Sequence, residues 1–64
     1  MIRVNGVAQE HFDESVSELV ARLEIEPRGI AVAIDGEIIR KADWSATPIR
    51  DENVIEIVTA VAGG

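Results

Sequence analysis

The sequence predicts an α+β fold in which one main helix packs across a small mixed sheet of four to five strands. Three observations carry this prediction. Two Asx-Gly pairs, Asn5-Gly6 and Asp35-Gly36, each lie between short β-prone runs. One segment, from Val16 to Leu23, has apolar residues at helical spacing. The final run, Val54 to Val61, is apolar on both faces apart from Glu56 and Thr59, as expected of a strand inside a sheet.

The elements follow in order. Ile2 and Val4 alternate with Arg3 and Asn5, the period of a half-buried strand. Asn5-Gly6 suits the positive φ angles of a type I′ hairpin turn, and Val7 to Phe12 reads as a returning strand, polar enough for an exposed edge. Val16, Leu19, Val20 and Leu23 then fall at i, i+3, i+4 and i+7, which places them on one face of a helix. Ser15 is a suitable N-cap, and Glu18 completes a capping box. Glu14 and Glu18 lie near the positive end of the helix dipole and Arg22 near the negative end. Pro27 and Gly29 are expected to close the segment.

Ile30, Val32 and Ile34 alternate with Ala31 and Ala33 in a third strand; Asp35-Gly36 predicts a second hairpin, and Glu37 to Arg40 a short fourth strand. Lys41 to Pro48 is irregular, with one helical turn around Ala42, Asp43 and Trp44, and Asp51-Glu52-Asn53 is a polar turn. A last strand inserted beside the first, and parallel to it, accounts for its apolar character. This order is a β-grasp arrangement, one domain over residues 1–64 with a flexible C-terminal Gly-Gly tail.

Composition limits the chemistry. In 64 residues there is no Cys and one His, so neither disulfides nor a zinc ligand set is available. Packing must hold the domain together, and 47% hydrophobic residues allow it. A formal net charge of −6 argues against nucleic acid or an anionic membrane as partner. No apolar run approaches a transmembrane length, and Met1-Ile2-Arg3-Val4-Asn5 does not read as a signal peptide. The expectation is a small, acidic, cytoplasmic domain, monomeric when free and too small for a deep cleft.

Catalytic constellations are missing as well. No second His or Cys offers a nucleophilic pair, and there is no Gly-rich phosphate loop. His11, without a visible orienting partner, reads as an ordinary surface histidine, and Trp44 as a cap on the core.

The C-terminus differs. The sequence finishes Val61-Ala62-Gly63-Gly64, straight after the strongest strand. At ordinary glycine usage, Gly-Gly arises there by chance in roughly 0.5% of chains. One reading is a frayed end. The other is that the terminal carboxylate is the reactive group, carried on two residues without Cβ that can enter a narrow cleft in a partner enzyme. A carboxylate needs activation before it is an electrophile, and a partner would have to bring the nucleotide.

If Ile30, Val32, Ile34, Ile55 and Ile57 face the helix, then Ala31, Ala33, Val58 and Ala60 face outward on neighbouring strands. Small apolar residues on an open sheet face suit partner docking, with acidic side chains around them steering a basic surface. The other reading of this face is a surface that is covered by a loop or only mildly apolar.

The stretch Ala31-Val32-Ala33-Ile34-Asp35-Gly36-Glu37-Ile38-Ile39, then Asp43-Trp44, then Val54 to the terminal Gly63-Gly64, resembles the ThiS family of ubiquitin-like sulfur carriers of thiamine biosynthesis, and the likeness spans essentially the whole chain. The resemblance implies that an E1-like adenylyltransferase (ThiF type), using ATP and magnesium, adenylates Gly64, with Ala62 and Gly63 giving the tail access. Sulfur from a donor such as a cysteine desulfurase then replaces AMP, leaving a thiocarboxylate for a thiazole synthase (ThiG type). The chain would be a cosubstrate rather than an enzyme and would itself bind no cofactor or metal. Rival readings are the small subunit of molybdopterin synthase (MoaD type), a sulfur carrier for another pathway such as cysteine synthesis, a ubiquitin-like modifier joined through Gly64 to lysines, and a scaffold or toxin–antitoxin domain with an incidental Gly-Gly end.

Overall fold

Five short strands, one α-helix and one 3-10 helix build the fold in a computed structural model that describes residues 1–59. Strand β1 (Ile2–Val4) turns at Asn5-Gly6 into β2 (Val7–Gln9). Helix α1 (Val16–Arg22) follows, then β3 (Ile30–Ile34), β4 (Glu37–Ile39), a 3-10 helix over Lys41–Ala46, and β5 (Val54–Thr59). The sheet order is β2-β1-β5-β3-β4, with β5 parallel to β1 and antiparallel to β3. The last strand therefore lies beside the first, as the β-grasp arrangement requires.

Both hairpins turn through the backbone angles their residues predict. Asn5 and Asp35 each have φ near +51°, followed by Gly6 at +84° and Gly36 at +87°. An L residue reaches this left-handed region most easily when its side chain is Asn or Asp, and Gly follows at no steric cost. The same two side chains have a second use. Asp35 Oδ1 accepts the Val54 N–H at 2.8 Å, and Oδ2 accepts from Asn53 Nδ2 at 2.8 Å. Asn5 Oδ1 accepts the Ile57 N–H at 2.8 Å, while Asn5 Nδ2 donates to the Ile57 carbonyl at 3.0 Å. Each hairpin turn thus grips the central strand.

The helix begins as expected. Ser15 Oγ accepts the Glu18 N–H, and the Glu18 carboxylate accepts the Ser15 N–H. It ends earlier than Pro27 and Gly29 suggested. Glu24 takes φ +58°, its N–H donates to the Ala21 carbonyl, and the Ile25 N–H reaches back to the Val20 carbonyl. That pair of bonds is a Schellman termination, and the partly buried Ile25 packs against the core that contains Val20. The helix stops because Ile25 is more stable folded back onto the core than carried outward on another turn.

Valines and isoleucines from the sheet meet Val16, Leu19 and Val20 of α1 in one core, closed by Trp44 and Ile49. Trp44 is the expected cap: its ring is buried and Nε1 donates to the Ile39 carbonyl at 3.0 Å. The segment before α1 departs from expectation. The returning strand stops at Gln9 rather than Phe12, because from Glu10 onward the chain leaves the sheet for the helix. His11 is half-buried rather than a free surface group, and its Nε2 lies 3.0 Å from the Ile49 carbonyl, a bond that Nε2 makes as the donor. Val16 N–H to Thr47 O and Ile49 N–H to Glu14 O then fasten the helix start to residues 47–49. Arg22 forks onto the Glu14 carboxylate, with Nη2 at 2.7 Å, and lies 4.5 Å from the centroid of Phe12. Strand β4 stops at Ile39 rather than Arg40, which is the N-cap of the 3-10 helix. At the exposed N-terminus, the Met1 amino group bonds to Asp51, which lowers the Asp51 carboxyl and raises the amino group from their ordinary values. So exposed a pair contributes little to stability.

Two substitutions test this account. Glu24→Gly relieves a left-handed L residue and should stabilise the domain by about 1 kcal/mol, read as a rise in urea midpoint. Asp35→Ala removes the grip on Val54 and Asn53 and strains the turn, so it should destabilise by about 2–3 kcal/mol. Asp35→Gly keeps the turn and should recover the strain component alone.

Candidate functional site

One helix covers one face of the sheet and leaves the other open. The register decides which residues lie there, because residues directly opposite one another in neighbouring strands share a face. Ala31 lies opposite Val58, Ala33 opposite Glu56, and Ala33 also opposite Ile38. Ile30, Val32 and Ile34 alternate with these alanines and turn inward, as do Ile55 and Ile57. For Ala31, Ala33 and Val58 the predicted face is therefore the observed one. Ala31, Ala33 and Val58 are brought together, while Ala60, Ala62, Gly63 and Gly64 lie outside the described residues.

The patch they form is shallow and apolar. A depression of about 250 Å³ is lined by Ala31, Ala33, Gly36, Ile38, Glu56 and Val58. Val58 is 58% exposed and Ile38 70%, so two branched aliphatic side chains stand in water around the small alanines. Such exposure needs a reason in a domain with so little apolar surface to bury. Ile38 escaped the sequence reading, although its signal was present. A two-residue turn at Asp35-Gly36 pairs Ile34 with Glu37 and hence Ala33 with Ile38.

The expected acidic surround is only partly present. Among the described strand residues of this face, Glu56 is acidic, while Arg3, opposite Val54 and Ala8, is basic. Glu37 pairs with the inward-turned Ile34 and belongs to the other face. No group of three or more His, Cys, Asp or Glu side chains among the described residues could hold a metal ion. No helix of the described residues is long and apolar enough to cross a membrane.

Strand β5 gives the patch its direction. It runs from Val54 to Thr59 through the middle of the sheet, and Thr59 pairs with Ile30 at the start of β3. Val58 sits one residue before that point. The patch is thus continuous along the chain with the segment that leads to Gly63-Gly64.

The model of the ThiS family matches residues 2–64. The chain belongs to the ThiS family. A curated relative, the sulfur carrier protein ThiS of Thermus thermophilus, is 27% identical over 64 residues and the whole of both chains. The fold is shared with the crystal structure of the thiamine biosynthesis protein ThiS from Geobacter metallireducens, at a TM-score of 0.80 and 24% identity, covering 98% of this chain and 97% of that one. A solution structure of a thiamine biosynthesis protein from the same organism gives a TM-score of 0.74 at 24% identity, over 98% and 86% of the two chains. Family membership across residues 2–64 takes in the strand, the outer face and the terminal glycines together.

The exposed position of Val58 is testable by stability alone. Val58→Asp should cost about 1 kcal/mol or less, the scale of strand preference at an open site. The neighbouring Ile57→Asp buries an unpaired charge and should abolish cooperative unfolding, measured by circular dichroism during a urea titration.

Proposed function

We propose that this ThiS-family chain is a sulfur carrier whose reactive group is the terminal carboxylate of Gly64, and that it serves thiazole formation in thiamine biosynthesis. The observation that carries the reading is the match of the family across residues 2–64, in a fold whose central strand leads to Gly63-Gly64. The chemistry follows from the carboxylate. One carboxylate oxygen attacks the α-phosphorus of ATP and expels pyrophosphate, giving an acyl-adenylate. Sulfur at the sulfide oxidation level then adds to the carbonyl carbon and expels AMP, leaving a thiocarboxylate. That group is a better sulfur nucleophile than a carboxylate is an oxygen nucleophile, and it can be handed to an acceptor.

The division of labour suits the molecule. An E1-like adenylyltransferase would hold ATP and magnesium, a sulfur donor such as a cysteine desulfurase would supply persulfide sulfur that a thiol reductant brings to the sulfide level while being oxidised to a disulfide, and a thiazole synthase would accept the sulfur. The carrier, residues 1–64 acting as one cytoplasmic domain, is consumed and recharged as a cosubstrate. It needs no cofactor of its own. Its contribution is to present Gly64 on Ala62-Gly63, which lack bulk, and to be recognised through the outer face. Val58, Ala31 and Ala33, extended by Ile38 and continued by Ala60, form the docking patch in this reading. A flat apolar patch next to the reacting segment lets a partner bind the body while its cleft takes the tail.

Intact mass spectrometry gives the test. Incubation with the adenylyltransferase, ATP, magnesium and a sulfide source should replace one terminal oxygen by sulfur. Deleting Gly64, or adding one residue after it, should abolish the mass change, and sulfur transfer that survives either alteration would overturn the reading. Val58→Asp should raise the KM for the carrier in adenylation by about tenfold or more, the effect of losing a well-packed apolar contact. Isopeptide adducts to lysines in place of a thiocarboxylate would indicate a protein modifier.

A further inference from the structure

Main-chain pairing between β1 and β5 ends early. Val4 lies opposite Ile55, the Asn5 N–H donates to the Ile55 carbonyl, and the chain then turns away through Asn5-Gly6. Beyond that point β5 has main-chain pairing on its β3 side alone, as far as Thr59 opposite Ile30. The Asn5 side chain fills this gap. Its carboxamide presents an acceptor and a donor in the arrangement of a peptide group, and it bonds both to the N–H and to the carbonyl of Ile57. The side chain thereby acts as one further rung of the parallel ladder. Only Asn, among residues that tolerate φ near +51°, supplies both partners at once.

We infer that Asn5 is a positioning residue for the reaction at Gly64. By gripping Ile57 from the β1 side, it fixes the direction in which the last strand leaves the sheet. This rests on the carrier reading above. Docking through the outer face fixes the body on a partner, and the terminal carboxylate must then reach one atom of ATP. A strand end held on both sides up to Ile57 limits the orientations that the following segment can start from. One held by β3 alone spreads over more of them, and a smaller fraction of docked complexes has the carboxylate in place. The loss falls on the rate within the complex, and docking itself is unaffected.

That distinction separates positioning from stability. A variant that merely unfolds more often lowers the concentration of competent carrier, which raises the apparent KM and leaves kcat at saturation unchanged. Asn5→Gly is the direct test, because Gly accepts the turn geometry while removing both bonds. Asn5→Asp keeps the acceptor for the Ile57 N–H but places an oxygen against the Ile57 carbonyl. Initial rates of pyrophosphate release should be measured against carrier concentration with the adenylyltransferase, ATP and magnesium. Asn5→Gly should lower kcat roughly five-fold, the scale of a hydrogen bond of ordinary net strength, with KM unchanged. Asn5→Asp should fall between it and the wild type. In amide hydrogen exchange on the free chain, Ile57 should lose more protection than Val32 in the middle of β3. An unchanged kcat, a change confined to KM, or equal loss of protection at Ile57 and Val32 would each overturn the positioning role. Absence of pyrophosphate release from the wild-type chain would overturn the carrier reading and this role together.

Discussion

The fold depends on strand β5 being held from both sides. Its neighbours β1, at the start of the sequence, and β3, in its middle, have no contact with each other in the sheet without it. Two hairpins, β1–β2 and β3–β4, would then be separate two-stranded units, each too small to be stable in water. Insertion of β5 makes one five-stranded sheet and brings Ile55 and Ile57 under α1. The grip is reinforced at two points by turn residues. Asp35 holds the entry of the strand at Val54, and Asn5 holds it at Ile57. The chemistry that lets Asn and Asp occupy left-handed turns, a short side chain with hydrogen-bonding atoms, is the same chemistry that lets them reach the adjacent strand.

From this constraint comes the shape of the exposed face. The described residues hold one α-helix, which covers one sheet face, and the alternation of β3 and β5 decides what the other displays. Nature has put alanine at the outward positions of β3 and branched aliphatic residues at Val58 and Ile38 on its neighbours. The resulting surface is low in the middle and apolar at its sides. It leads along β5 toward the terminal glycines, so that in the proposed reading docking and reaction are joined through one strand.

Much of this was legible in the sequence, for reasons that differ between elements. The helix start was legible because Ser15 and Glu18 signal through contacts three residues apart, and the turns because Asn-Gly and Asp-Gly encode their own backbone angles. The outward set of Ala31, Ala33 and Val58 followed from strand periodicity. The helix end was not legible, since Glu24 is an unfavourable residue for a left-handed stop and takes that conformation to let Ile25 reach the core. His11 was misread because its partner, the Ile49 carbonyl, lies far away in sequence and carries no residue-type signal. The second role of Asn5 was hidden for the same reason. The acidic rim is only partly present, with Glu56 on the outer face, because net charge says nothing about placement: Glu37 turned to the helix side while Arg3 joined the outer face.

The pairing of β1 with β5 also sets the order in which the molecule can come into being. The hairpins and the helix are built from near neighbours in sequence, whereas the Asn5–Ile57 bonds join residues 52 positions apart. Closing so long a loop lowers conformational entropy before its contacts exist, so this step is the slow one relative to local structure. During synthesis the first hairpin and the helix emerge with no central strand to dock on, and their apolar faces stay uncovered until β5 arrives. The body that a partner would recognise therefore exists only once the strand leading to the terminal glycines has been made. Recognition of the folded surface is, by construction, recognition of a chain whose central strand is already in place.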